Sequence, residues 1–225
     1  MTEESGIDVC FLITTYNRPT ACQRLVNALQ GLGSEVVVFN DGSDYTIKGC
    51  KQSRYTHHRG KEGYWKTVKS LFNIRGHHKY FIMLPDDFLP SEGMVEEALR
   101  LWKEIKAKDS RAICLNLYAD RQGVACWTRF KPQDKGEYWL TQWVDMCFLA
   151  EDEFFTHVKN IGGLVPRIAR QGVGSGVGAY ISRGLMKMGL NMYQVKKSLV
   201  VEQPEHGVSQ MHDPLNRGQN KKKSR

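Results

Sequence analysis

Two adjacent carboxylates, Asp86 and Asp87, end the apolar run Tyr80-Phe81-Ile82-Met83-Leu84-Pro85 and are followed at once by Phe88-Leu89-Pro90. Acids this close repel each other unless a cation lies between them or one keeps its proton. Mg2+ or Mn2+ commonly takes one or two carboxylates together with substrate phosphates. One reading of the pair is therefore a seat for a metal and a diphosphate. The other is a solvated turn whose acids cap the helix that follows. The residue types leave both open.

The elements around the pair give it a place. A continuous apolar run reads as a strand buried on both faces, and the carboxyl edge of a parallel sheet is where open α/β folds hold ligands. Val9 to Thr15 reads as another buried strand. Pro19 opens a helix with apolar positions at Ala21, Cys22, Leu25, Val26 and Leu29, which Gly31 stops. A second strand, Glu35 to Asn40, runs into Asp41-Gly42-Ser43, so the chain begins with a βαβ unit. Arg54 to His58 reads as a short third strand, and Tyr64 to Asn73 as a helix. After Pro90, Ser91 is expected to cap a helix whose early acids and late lysines match its dipole. Arg111 to Tyr118 reads as a strand. Tyr138 to Leu149 reads as a long run kinked near Asp145, and Glu151-Asp152-Glu153 opens a short helix. A four-glycine stretch, Gln171 to Gly178, feeds a helix from Ala179 to Met188. Its backbone offers close approach and free N–H groups to a ligand, but it lacks the strand and spacing of a dinucleotide fingerprint. Strand-like Met192 to Val195 and Leu199 to Val201 follow.

A chain of 225 residues with 41% hydrophobic content buries the core of one α/β domain. The expected division is a domain over 1–215, with a nucleotide-binding half near 7–90 and an acceptor-binding half near 91–215, and a basic tail over 216–225. No apolar run reaches bilayer-spanning length and the first residues lack a signal-peptide pattern, so the expectation is a cytoplasmic protein without stable membrane insertion. The six cysteines lie singly with no CxxC pair and read as reduced packing residues rather than disulfides or zinc ligands. The net charge of +8 is concentrated: five bases and no acid lie between Asn216 and Arg225, and seven bases and no acid lie between Glu153 and Glu202. Such clustering marks either a footprint for a polyanion or a solvated basic face.

Thr14-Thr15-Tyr16-Asn17-Arg18-Pro19 after the first strand, Asp41-Gly42-Ser43 after the second, Pro85-Asp86-Asp87 after the fourth, and the late His206-Gly207 with Ser209 together resemble a GT-A fold glycosyltransferase of the family 2 type. The resemblance spans Val9 to His212. It implies a single GT-A (Rossmann-like) domain with a mostly parallel central sheet flanked by helices and a small antiparallel addition. It also implies a nucleotide-sugar donor, a UDP-linked one, and Mn2+ or Mg2+ as cofactor. By that resemblance Asp41 recognises the base, Thr15, Tyr16 and Arg18 line the nucleotide pocket, Asp86 touches the sugar or ribose, and Asp87 ligates the cation. Lys61, Lys66 or His206 would stabilise the negative charge that grows on the leaving phosphate. A neutral His206 suits the metal and a protonated one the phosphate; it also reads as an ordinary polar loop residue.

The family commonly carries a Glu-Asp pair at the helix that begins near Ala179, where this chain has Ser175-Gly176-Val177-Gly178. Another carboxylate would then serve as catalytic base. Asp145 is the first candidate because it interrupts an apolar run, where a carboxylate is costly unless paired, and Asp152 is the second. Asp145 reads equally as a structural partner for Arg or Trp. The basic stretches, with Arg167, Arg170, Lys196 and Lys197 as acceptor-binding candidates, suit a polyanionic acceptor. The chain resembles phage enzymes that glycosylate DNA, moving glucose or arabinose onto 5-hydroxymethylcytosine or another hydroxymethylated pyrimidine of double-stranded DNA. Lipopolysaccharide or capsule as acceptor, and a catalytically dead nucleic-acid-binding module on the same scaffold, are the competing readings.

Overall fold

All seven residues of β1 (Val9–Thr15) are buried, as a β-rich run with no polar side before Thr14 requires. In the computed structural model, which describes residues 8–41, 44–55, 63–119, 131–144, 146–161 and 176–203, β1 lies near the middle of a nine-stranded sheet. Its neighbours are β2 (Glu35–Asp41) and β4 (Tyr80–Pro85), both parallel to it, with β3 (Lys51–Tyr55) parallel outside β2. The sheet order is β3-β2-β1-β4-β9-β6-β10-β8-β7. Here β6 is Ala112–Asn116, β7 Gln133–Asp134, β8 Tyr138–Leu140, β9 Phe148–Ala150 and β10 Asn191–Val195. β9 enters antiparallel between β4 and β6, and β8 runs antiparallel to β10. A second sheet pairs β5 (Phe88–Pro90) with β11 (Val200–Glu202), antiparallel.

Helices cover both faces. The odd-numbered residues of β1 face α1 (Pro19–Leu29) and α3 (Met94–Lys108) in one core with Leu25, Trp102 and Ile105. The even-numbered ones face α2 (Gly63–Ile74), α4 (Asp152–Asn160) and α5 (Gly176–Lys187) in a second core with Phe72, Phe154, Phe155 and Ile181. The alternation of strand side chains makes one strand serve two cores, which is why β1 and β4 tolerate no exposed polar face.

Pro19 does start α1, and Gly31 at φ 80 follows its end. α3 has Glu96 and Glu97 in its first turn and Lys106 and Lys108 in its last. Ser91, however, is not its cap: Gly93 at φ 69 occupies that position, because a turn closed by Met94 N–H on Ser91 O at 3.2 Å separates the end of β5 from the helix. β3 begins at Lys51, earlier than the sequence suggests, and α5 begins at Gly176 rather than Ala179. The run from Tyr138 to Leu149 is not one kinked strand but two, β8 and β9, paired in different parts of the sheet. Gly178 serves packing: a side-chain carbon there would meet the carbonyl oxygen of Val144 at 2.4 Å. Ser182 Oγ bridges the same approach, donating to Gly178 O at 2.7 Å and accepting from Val144 N at 2.8 Å. The described cysteines are all free. No described helix is long and apolar enough to cross a membrane.

Candidate active site at the carboxyl edge of the sheet

The register of β1 on β4 pairs Thr14 with Pro85, so the chain leaves both strands side by side, with Thr15 beside Asp86. Thr15 Oγ1 donates to Asp86 Oδ2 at 2.8 Å, and Arg18 Nη1 reaches Asp86 Oδ1 at 3.0 Å and Asp87 Oδ2 at 3.5 Å. Asn17, at φ 54, turns the backbone between Tyr16 and Arg18 so that Arg18 folds back over the strand ends. Asp86 is 5% exposed. Burial is the largest influence on its carboxyl and pushes it up to about 6, the Asp87 charge adding to the effect and Arg18 and Thr15 partly offsetting it. Even with a guanidinium against it, Asp86 is costly to charge.

Two residues outside the sequence motifs complete the frame. Tyr45 Oη shares a 2.7 Å hydrogen bond with Thr15 Oγ1 and accepts from Arg18 N at 3.4 Å. Gln203, 3% exposed, locks the acidic turn. Its side-chain amide donates to Asp86 O at 3.0 Å, Phe88 O at 3.2 Å and Ala21 O at 3.3 Å, while its backbone N–H donates to Asp87 O at 2.8 Å. Arg24 donates in turn to Gln203 Oε1. A lone glutamine near the end of a strand has no local signal for this role; the pairing of β11 with β5 creates it.

The structure therefore brings Thr15, Arg18, Asp86 and Asp87 together, with Tyr16 in the same β1–α1 turn and Asp41 closing the adjacent β2. It does not bring Asp152 there. β4 and β9 pair Phe81 with Ala150, which places the start of α4 near the opposite end of β4. Asp152 binds Arg75 through Nε and Nη2, and the Arg75 guanidinium lies 4.6 Å from the Phe155 ring centre. Asp152 thus serves as the partner of Arg75, at the end of β4 away from the acidic turn. Lys196 and Lys197 follow β10 and are exposed, with Lys196 Nζ 2.6 Å from Asp134 Oδ1 and 4.5 Å from the Trp139 ring centre. Lys66 falls within α2, and Lys61, Asp145, Arg167, Arg170 and His206 lie outside the described residues.

This open, mostly parallel sheet flanked by helices has a counterpart among solved structures. The crystal structure of GalNAc-T7 with UDP, GalNAc and Mn2+ matches 89% of this chain at a TM-score of 0.61 and 16% sequence identity. The chain has a GT-A fold. This GT-A domain spans 44% of the GalNAc-T7 chain. No protein-family model matches it, and no curated protein matches it by sequence.

Proposed function

We propose that this GT-A protein is a glycosyltransferase that takes its sugar from a nucleotide donor, UDP-linked, at the Asp86–Asp87 edge. The observation that carries the reading is the acidic turn itself, held at the carboxyl end of β4 against Thr15 and Arg18 of the β1–α1 turn. The UDP and Mn2+ of the GalNAc-T7 crystal structure support the same donor class and ion here.

The residues fit a hard divalent cation. Their donors are carboxylate oxygens, two of them adjacent in one turn and facing a single guanidinium. Asp87, the less buried of the two acids, would hold Mn2+ or Mg2+, which neutralises charge on a diphosphate leaving group. Asp86, fixed by Thr15 and Arg18, orients the donor through its ribose or sugar. Arg18 balances the acids and meets phosphate. Tyr16 lines the nucleotide pocket and Asp41 recognises the base, with Lys61, Lys66 and His206 adding positive charge. In the reaction the bond from the sugar anomeric carbon to the phosphate oxygen breaks with its electron pair on the phosphate. The acceptor hydroxyl oxygen bonds to that carbon, and its proton passes to a base, for which Asp145 is the first candidate.

For the acceptor, the charge of +8 and its concentration between Glu153 and Glu202 support a polyanion. Double-stranded DNA bearing hydroxymethylated pyrimidine is the acceptor proposed, with Arg167, Arg170, Lys196 and Lys197 toward its backbone and glucose or arabinose as the sugar. The order of motifs, like that of family 2 enzymes acting on phage DNA, supports it. The test incubates the protein and Mn2+ with a panel of nucleotide sugars and either plain or hydroxymethylated DNA, followed by digestion and mass analysis of the nucleosides. A hexose or pentose added to the hydroxymethyl base is the expected product. Donor turnover without modified nucleoside would move the acceptor to a glycan, and no turnover of any donor would remove the transferase reading.

A further inference from the structure

At the amino-terminal edge of the sheet, three side chains from three segments converge. Cys10 is the second residue of β1, Glu35 the first of β2, and His78 lies just ahead of β4. The parallel register pairs Cys10 with Glu35, so both side chains leave the same face of neighbouring strands. Cys10 Sγ lies 4.0 Å from Glu35 Oε2, His78 Nε2 lies 3.3 Å from the same oxygen, and the three ligand atoms fall within 4.8 Å of one another. The second ring nitrogen, Nδ1, is 2.7 Å from Asp8 Oδ1, while Asp8 Oδ2 accepts the Lys79 N–H at 2.8 Å. A carboxylate anchored by backbone and holding one imidazole nitrogen is the arrangement that orients a metal-binding histidine.

We propose that Cys10, Glu35 and His78 form a Zn2+ site, with Asp8 holding the histidine ring and water in the fourth position. Thiolate, imidazole and carboxylate together suit a borderline-soft ion rather than Mg2+ or Mn2+. A tetrahedral zinc with ordinary bond lengths separates its nitrogen and oxygen donors by about 3.3 Å and its sulfur and oxygen donors by about 3.6 Å. The first separation is already met, and the second needs a side-chain shift of about 0.4 Å. Before ligation the Cys10 thiol points at Arg75 O, 3.6 Å away. On ligation the sulfur–hydrogen bond gives way to a sulfur–zinc bond and the proton goes to solvent. Lys51 Nζ keeps the other Glu35 oxygen, at 3.9 Å. Glu35 and His78 are partly exposed and give the ion its way in.

From Cys10 to Thr15 is about 16 Å along the strand, so this ion is separate from the one proposed at Asp87. Its place ties β1, β2 and the approach to β4 at their starts, the three elements whose other ends carry Thr15, Asp41 and Asp86. In a GT-A protein it acts as a clamp on the nucleotide-binding half.

The full chain, stripped with a chelator, is titrated with Co2+ and followed by absorption. The expected result is one equivalent bound with tetrahedral visible bands and a near-ultraviolet thiolate-to-cobalt band, displaced by one equivalent of Zn2+, and a higher thermal midpoint with Zn2+. Cys10→Ser removes the thiolate band, Asp8→Asn keeps it but weakens affinity tenfold or more, and Cys50→Ser leaves both as they were. Absence of a thiolate band in the folded wild-type protein, or a band that survives Cys10→Ser, overturns the site. Cys22 puts a thiol beside Thr15 at the acidic turn, so Cys10→Ser is what assigns the band to this site; failure here leaves the transferase reading standing, and loss of Mn2+-dependent transfer does not touch the zinc site.

Discussion

Arg18 Nη1 stands 3.0 Å from Asp86 Oδ1 and ties the turn after the first strand to the turn after the fourth. Both partners are largely buried, so the pair is worth most as a matched set: removing one member leaves a charge in a poor solvent. Arg18→Ala is expected to cost about 3 kcal/mol in urea unfolding at pH 7 and to move the Asp86 carboxyl further up in a carbon-detected titration. An unchanged carboxyl would show that the guanidinium does not act on it.

The Asp86 carboxyl also makes a prediction about acidity. Its value in the folded protein, about 6, lies above the ordinary 3.8, so the folded state holds the proton more tightly than the unfolded chain. The penalty is absent below about pH 4, grows between pH 4 and 6, and is complete above about 6. Asp86→Asn should therefore gain stability relative to wild type as pH rises through that window, by up to about 3 kcal/mol. Paired unfolding curves at pH 4 and pH 7, without metal or nucleotide, read the difference; a constant gap between the two proteins would refute it.

Asp87 and Asp152 lie at opposite edges of the sheet, and the proposed reaction concerns the first alone. Asp87→Ala is expected to lower Mn2+-dependent transfer at least a hundredfold while changing the unfolding midpoint little, since Asp87 is a looser partner of Arg18 than Asp86 is. Asp152→Asn should do the reverse, costing about 1 kcal/mol because Asp152 is half exposed and Arg75 keeps the Phe72 carbonyl, with kcat unchanged. Loss of turnover in Asp152→Asn at a temperature where it is folded would return Asp152 to the chemistry.

Gln203→Ala strips hydrogen bonds from three carbonyls around the acidic turn. The expected cost is about 2 kcal/mol, and the Mn2+ concentration for half-maximal activity should rise more than the donor KM, because the turn that carries Asp87 loosens. Gln203→Glu, which keeps the length and loses the amide donors, should behave like the alanine. If the metal requirement stays put while stability falls, Gln203 supports the fold without positioning Asp87.

What could be read from the chain alone were the features written in consecutive residues. The buried runs of β1 and β4, Pro19 at the head of α1 and the charge gradient along α3 all state their structure within a dozen positions. So did the edge on which Asp86 and Asp87 sit, because a buried strand followed by polar residues fixes where it leaves the sheet. The partners of those acids were not legible. Gln203 and Tyr45 reach them only because β11 pairs with β5 and the chain after β2 folds back toward Thr15. The same holds for Asp152, acidic and near an apolar run, which only the antiparallel entry of β9 carries to Arg75.

Sequence therefore determined the long buried strands, the helices and the acidic edge, since side-chain periodicity and burial act over a few residues. Tertiary structure alone decided which distant groups face one another: Arg18 between two acids, and Cys10 across from Glu35 and His78. Such meetings depend on strand order and register, and those are settled by the packing of the whole sheet between its helices rather than by any one segment.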